Sequence, residues 1–181
     1  MPHHDPDELF DVVDEADRVI GLATRAVVHR DGLRHRSSHV FLLNSHGELF
    51  LQRRALTKDE DPGAWDSSAA GHLDAGESYV AGAVRELREE LGVTVEPTRL
   101  VEVARLPATA EAGWEFRRLF VLSTDEPLSP DPTEVMEGRF LAAVEIERRL
   151  ADGSLPVTRA FAAFYSLYRA WSQGGVLRTP P

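Results

Sequence analysis

Three carboxylates at helical spacing, Glu86, Glu89 and Glu90, are the residues of this chain best placed to do chemistry. They lie in a run from Ser78 to Val93 that reads as a helix. Ser78 is suited to cap its start through a side-chain oxygen, and Gly92 to end it in the left-handed conformation. At about 100° per residue, Glu89, Glu86 and Glu90 fall roughly 40°, 100° and 140° around the axis from Arg85. Val80, Val84, Leu87 and Leu91 fall between roughly 200° and 260°, which makes them the face that packs on a core. Like charges three and four residues apart repel, so the acidic face lowers helix stability unless a cation sits on it. Clustered hard oxygen ligands suit Mg²⁺, with Mn²⁺ the alternative, and Mg²⁺ typically links protein carboxylates to substrate phosphates.

A solvated acidic face is the ordinary reading of such a helix, but the surrounding residues favour the chemical one. The chain fits G-x5-E-x7-R-E-U-x-E-E-x-G-U, with U a bulky aliphatic residue, at every specified position. Those residues are Gly71, Glu77, Arg85, Glu86, Leu87, Glu89, Glu90, Gly92 and Val93. This resembles the signature of the Nudix hydrolase superfamily. The resemblance implies an α/β (α+β) fold, an α/β/α sandwich around a mixed sheet. It implies metal-assisted attack of water on a diphosphate joined to another group, with Glu86, Glu89, Glu90 and the Gly71 carbonyl as metal ligands. Arg85 would pair with Glu77 and orient the carboxylates, and the general base would be Glu86, Glu90 or Glu134. Glu134 precedes a strand, where some family members carry a catalytic carboxylate; an ordinary exposed loop acid is the equal alternative.

The flanks narrow the resemblance. Leu51 to Arg54, Lys58, Pro62, Gly63 and the segment from Trp65 to His72 look like the branch that contains isopentenyl-diphosphate isomerases and hydrolases related to them. In the isomerases, histidines at the positions of His35 and His72 bind metal. A further isomerase histidine lies near His29 but at a different spacing, so it is not transferred. The isomerases carry a cysteine just before the Gly-His pair; this chain has Ala70 there and no cysteine anywhere. They also depart from the Arg-Glu-x-x-Glu-Glu pattern that is intact here. A hydrolase is therefore the leading expectation, with a prenyl-diphosphate isomerase and a non-catalytic nucleotide sensor as alternatives. His35 and His72 are either a second metal site or hydrogen-bonding and core residues, the second being preferred without isomerase chemistry.

Arg53, Arg54 and Lys58 form a local basic cluster, suited to a phosphate tail or merely to a solvated edge. They matter because the formal net charge of −10 repels a phosphorylated substrate and argues against non-specific nucleic-acid binding. The expected partner is a small diphosphate. The oligomeric state is left open, a homodimer included. The lack of cysteine excludes disulfides, thiolate metal sites and thiol nucleophiles. No apolar run is long enough to span a bilayer and no signal-peptide pattern opens the chain, so no membrane association and a cytoplasmic location are expected.

To position these residues the chain needs one domain over residues 1–181, with 1–7 a frayed terminus. The pattern predicts a hairpin of Leu9–Val13 and Val19–Leu22, a second of His39–Asn44 and Glu48–Gln52, and strands at Leu100–Leu106 and Trp114–Leu122. A short strand is expected around Arg139–Leu141, then helices over Val144–Leu150 and Val157–Trp171. The stripe Phe161, Phe164, Tyr165 and Tyr168 is assigned to the core, and Trp65 and Trp114 to packing.

Overall fold

β3 (His35–Leu43) is the strand on which the rest is assembled. Its Val40, Phe41 and Leu42 are all fully buried, as befits a central strand covered on both faces. The computed structural model describes residues 6–57 and 61–174. In chain order these form β1 (Leu9–Val13), β2 (Val19–Thr24), α1 (Arg25–Asp31), β3, β4 (Leu49–Arg54), β5 (Trp65–Asp66), β6 (Ala69–His72) and α2 (Tyr79–Leu91). Then come β7 (Val101–Leu106), β8 (Glu115–Ser123), β9 (Val135–Leu141), α3 (Ala143–Ala151) and α4 (Arg159–Ser172).

The sheet is mixed and partly split. β3 runs parallel to β8, from His35 opposite Glu115 to Leu43 opposite Ser123, and antiparallel to β6, with Ser37 opposite His72. The expected hairpin of β3 and β4 is closed only at its turn, where Leu43 faces Leu49. Beyond that pair β4 turns to β5 and β9. Ser68 bridges the divergence: its Oγ accepts from Leu42 N at 2.8 Å and donates to the Phe50 carbonyl. A hydroxyl thus satisfies main-chain groups that a continuous ladder would have paired.

α2 forms where the sequence places it. Ser78 Oγ accepts from Ala81 N, and Gly92 closes the helix at φ 69°. Leu87 and Leu91 bury completely against Val40, Leu42, Phe120 and Leu122 on one side of the sheet. Each such leucine contributes about 1.5–3 kcal/mol of burial. On the other side α4 inserts Phe161, Phe164, Tyr165 and Tyr168 against Phe41, with α3 adding Ile146. The aromatic stripe is core, and the three layers make an α/β/α sandwich.

Several elements differ from expectation. The polar stretch 29–39 is the end of α1 followed by the start of β3, four residues earlier than expected. α1 is capped by Thr24 and by Gly32 at φ 62°. β3 extends back to His35 because His35, Ser37 and His39 share one face of it at period two. β5 and β6 were not anticipated, and β9 begins at Val135. Of the terminus expected to fray, residues 1–5 lie outside the described residues, while the Pro6 carbonyl accepts from Ala26 N at 3.2 Å. Among the described residues no helix is long and apolar enough to cross a membrane.

Candidate active site

Where the sheet splits, a cavity of about 580 Å³ opens. α2 and the segment before it contribute Gly71, Arg85, Glu86 and Glu90, and the loop before β9 contributes Glu134. Glu86, Glu90 and Glu134 are each at least nine-tenths buried. Glu90 bridges the split: its Oε2 accepts from Gln52 Nε2 on β4 at 2.9 Å and from Ala70 N on β6 at 3.0 Å. Gly71 packs so closely on α2 that a Cβ there would lie 1.9 Å from Glu86 Oε1. Only glycine leaves the carboxylate where it is.

Arg85 is the cation that the acidic face calls for. It donates to both oxygens of Glu77, to Glu86 Oε1 at 2.7 Å, to Glu89 Oε2 at 3.2 Å and to the His72 carbonyl at 2.7 Å. Burial alone would favour its losing a proton, but Glu77 and Glu86 outweigh this and raise its pKa further. Glu89 is the outermost carboxylate: it pairs with Arg85 and Arg88 and is absent from the cavity wall. Glu134 is a buried wall residue rather than the exposed loop acid weighed as its alternative.

The basic cluster divides. Arg54 lines the cavity and lies 3.3 Å from Asp66. Arg53 is not among the lining residues; its Nε donates to the Gly63 carbonyl and its guanidinium faces Glu137. The strand's alternation sends neighbouring side chains to opposite faces, and of the two arginines only Arg54 reaches the cavity. Lys58 lies outside the described residues.

The oxygen donors fit a hard divalent cation. Beside Glu90, Gln52 spends its amide N–H on the carboxylate, and its buried Oε1 has no hydrogen-bond partner among the described residues. The cavity itself is lined by Glu86, Glu90 and Glu134, an oxygen-rich set that suits Mg²⁺.

A second cluster lies beside the cavity, with His29 and His72 in its lining. His29, His35 and His72 bring one ring nitrogen each within 4.8 Å of one another. α1 delivers His29, the histidine whose spacing kept it out of the sequence reading. The set does not fit a metal as it stands. Arg25 Nη1 lies 3.0 Å from His72 Nδ1, and a guanidinium can only donate, so Nδ1 is the acceptor. His72 Nε2 then carries the proton and faces Glu115 at 3.3 Å. No lone pair of His72 is left for an ion. Burial lowers the pKa of His35 and His72, keeping both neutral. Burial opposes ionisation of Glu115, but the Nε2–H of His72 and the Arg117 guanidinium beside it hold its carboxyl below the usual range.

A model of the NUDIX domain matches residues 33–161. The chain belongs to the Nudix family. It is 38% identical over 150 residues to an isopentenyl-diphosphate Delta-isomerase of Streptomyces griseus, covering 79% of this chain and 75% of that one. It is 40% identical over 134 residues to an uncharacterized Nudix hydrolase of Pseudomonas aeruginosa, covering 74% and 78%. A Deinococcus radiodurans crystal structure superposes with a TM-score of 0.74 at 29% identity, over 90% of this chain and 98% of that one. The isomerase-like branch and the Nudix fold are thus both seen in this chain's relatives.

Sequence reasoning missed Ser37, His39, Glu115 and Arg117, which line this Nudix cavity. The period-two pattern of His35, Ser37 and His39 was the available signal. Glu115 and Arg117 alternate in the same way but join the site only through the β3–β8 register.

Proposed function

We propose that the protein is a Mg²⁺-dependent hydrolase that cleaves a diphosphate linked to another group by attack of water at phosphorus. The products are two phosphorylated molecules, or phosphate and a monophosphate. The carrying observation is the pair Glu86 and Glu90, buried, braced by Arg85, Gly71, Gln52 and Ala70, and facing a cavity. Glu86, Glu89, Glu90 and the Gly71 carbonyl would hold a Mg²⁺, which would neutralise phosphate charge and make a bound water more acidic. Arg85 orients the carboxylates through Glu77. Arg54 binds a phosphate oxygen. Glu134, buried in the cavity wall, is the leading general base, since a carboxylate there can take a proton from water.

The isomerase alternative draws on the relatives of that name, but the cavity does not favour it. Its wall has Ala70 where the isomerases have cysteine. Among the described lining residues alanine and glycine are the only apolar ones, a poor lining for a prenyl chain. A sensor needs no such braced carboxylate pair.

A ³¹P NMR turnover screen with Mg²⁺ tests the reading, using pooled nucleoside di- and triphosphates, ADP-ribose, dinucleotides and isopentenyl diphosphate. New phosphate monoester signals that vanish in Glu90→Gln support it. Conversion of isopentenyl diphosphate without phosphate release, or binding without cleavage of any pool, overturns it.

A further inference from the structure

A buried hydroxyl lines the cavity. Ser37 is 2% exposed and its Oγ has no hydrogen-bond partner among the described residues. Leaving such a group unsatisfied costs about 1–3 kcal/mol, so its position in a cavity lining points to a ligand that satisfies it. Its neighbours are fixed by the register: His72 on one side, Arg117 on the other, and His35 and His39 two residues along its own strand.

Of these, Arg117 is the group that can set the ligand's charge. His72 is engaged by Arg25 and Glu115, and His39 by Ser67 Oγ at 3.1 Å. Arg117 donates through Nε to Glu115 and through Nη2 to the Ala112 carbonyl at 2.8 Å. Those bonds use two of the five N–H donors a guanidinium carries. A serine hydroxyl beside a guanidinium is a donor pair for a phosphate oxygen. Among the described residues no phenylalanine, tyrosine, tryptophan or branched aliphatic residue lines the cavity, which favours neither a stacked base nor a prenyl group there.

We infer that the cavity lining around Ser37 and Arg117 is a subsite for a second phosphate, a monoester set apart from the diphosphate that is cleaved. Resting on the hydrolase reading, this narrows the substrate to diphosphates whose attached group is itself phosphorylated. Ser37 is paired with His72, one strand spacing of about 5 Å from β6, and lines the same cavity as Glu86 and Glu90.

Matched pairs differing by one phosphate test it: coenzyme A against 3′-dephospho-coenzyme A, and NADPH against NADH. Calorimetric binding with Ca²⁺ in place of Mg²⁺ gives the ratio of Kd values within each pair. The wild type binds the extra phosphate at least about tenfold more tightly. Ser37→Ala and Arg117→Gln each bring the ratio towards one. Ser37→Ala removes a single oxygen, so it keeps the test open if loss of Arg117 beside Glu115 impairs folding. A wild-type ratio near one in both pairs, or an undiminished ratio in Ser37→Ala, overturns the subsite. The ratio needs no turnover: selective binding without cleavage in Mg²⁺ removes the hydrolase reading and keeps the subsite, while cleavage with a ratio of one does the reverse.

Discussion

Arg85 grips Glu77 with two sides of its guanidinium, Nε 3.1 Å from Oε1 and Nη2 2.9 Å from Oε2. The same group reaches the His72 carbonyl and Glu86, so one cation ties β6 and the loop before α2 to the acidic face. Lysine keeps the charge but loses the fork. Arg85→Lys is expected to lower kcat/KM by about 10–100-fold with little change in circular dichroism. Arg85→Ala leaves Glu77 and Glu86 without their cation and is expected to cost about 3–5 kcal/mol in urea unfolding.

Gly71 makes a steric prediction. A methyl group there overlaps Glu86 Oε1, so the carboxylate must move. Gly71→Ala is expected to cut turnover by about 100-fold, as a misplacement of roughly 1 Å does. Stability should fall far less, because the displaced group borders a cavity. Retention of wild-type activity would show that the Glu86 position is not needed.

The carboxylates are not equivalent. Glu86, Glu90 and Glu134 face the cavity, whereas Glu89 lies outside its wall beside Arg85 and Arg88. Glu134→Gln is expected to lower kcat by about 10²–10⁴-fold while KM changes little, the signature of a lost general base. Glu89→Gln should cost less than Glu86→Gln or Glu90→Gln. Steady-state kinetics of the four variants check the order, and a Glu89→Gln variant as inactive as Glu90→Gln would reverse it.

Much of this was legible because it is local. Caps at Ser78 and Gly92, the apolar face of α2 and the spacing of its carboxylates all lie within a few turns of one helix. The Ser37 side of the cavity was hidden for the opposite reason. Ser37 meets Arg117 only through a parallel register that brings together residues some eighty positions apart, and no local pattern encodes that. Polar residues alternating along β3 imitate a loop when read without the cavity they face. His29 was obscured by a seven-residue helix whose cap signals, Thr24 and Gly32, were present but short of the length that makes periodicity readable.

Acid should weaken the fold. Burial lowers the pKa of His35, His39 and His72, so they stay neutral in the native state. In the unfolded chain they take up protons near pH 6.5. Stability is therefore intact above about pH 6.5 and falls below it, by up to about 1.4 kcal/mol per pH unit for each histidine. Glu8 works the other way. Burial and the neighbouring Asp74 push it up to about 7, so it holds a proton in the fold that the unfolded chain binds only near 4.5. One group against three offsets only part of the loss. Urea midpoints should drop between pH 7.5 and 5.5; a flat or rising midpoint would show the histidines protonated in the fold.

The central claim is that water attacks phosphorus under the carboxylates of α2. Turnover of the best substrate in H₂¹⁸O with Mg²⁺, followed by ³¹P NMR, tests it most directly. The account predicts an isotope-shifted signal in one phosphate product, with no label in the other and none formed by Glu90→Gln. Unlabelled phosphate products, which place the cleavage at carbon, or an undiminished rate in Glu90→Gln would contradict it.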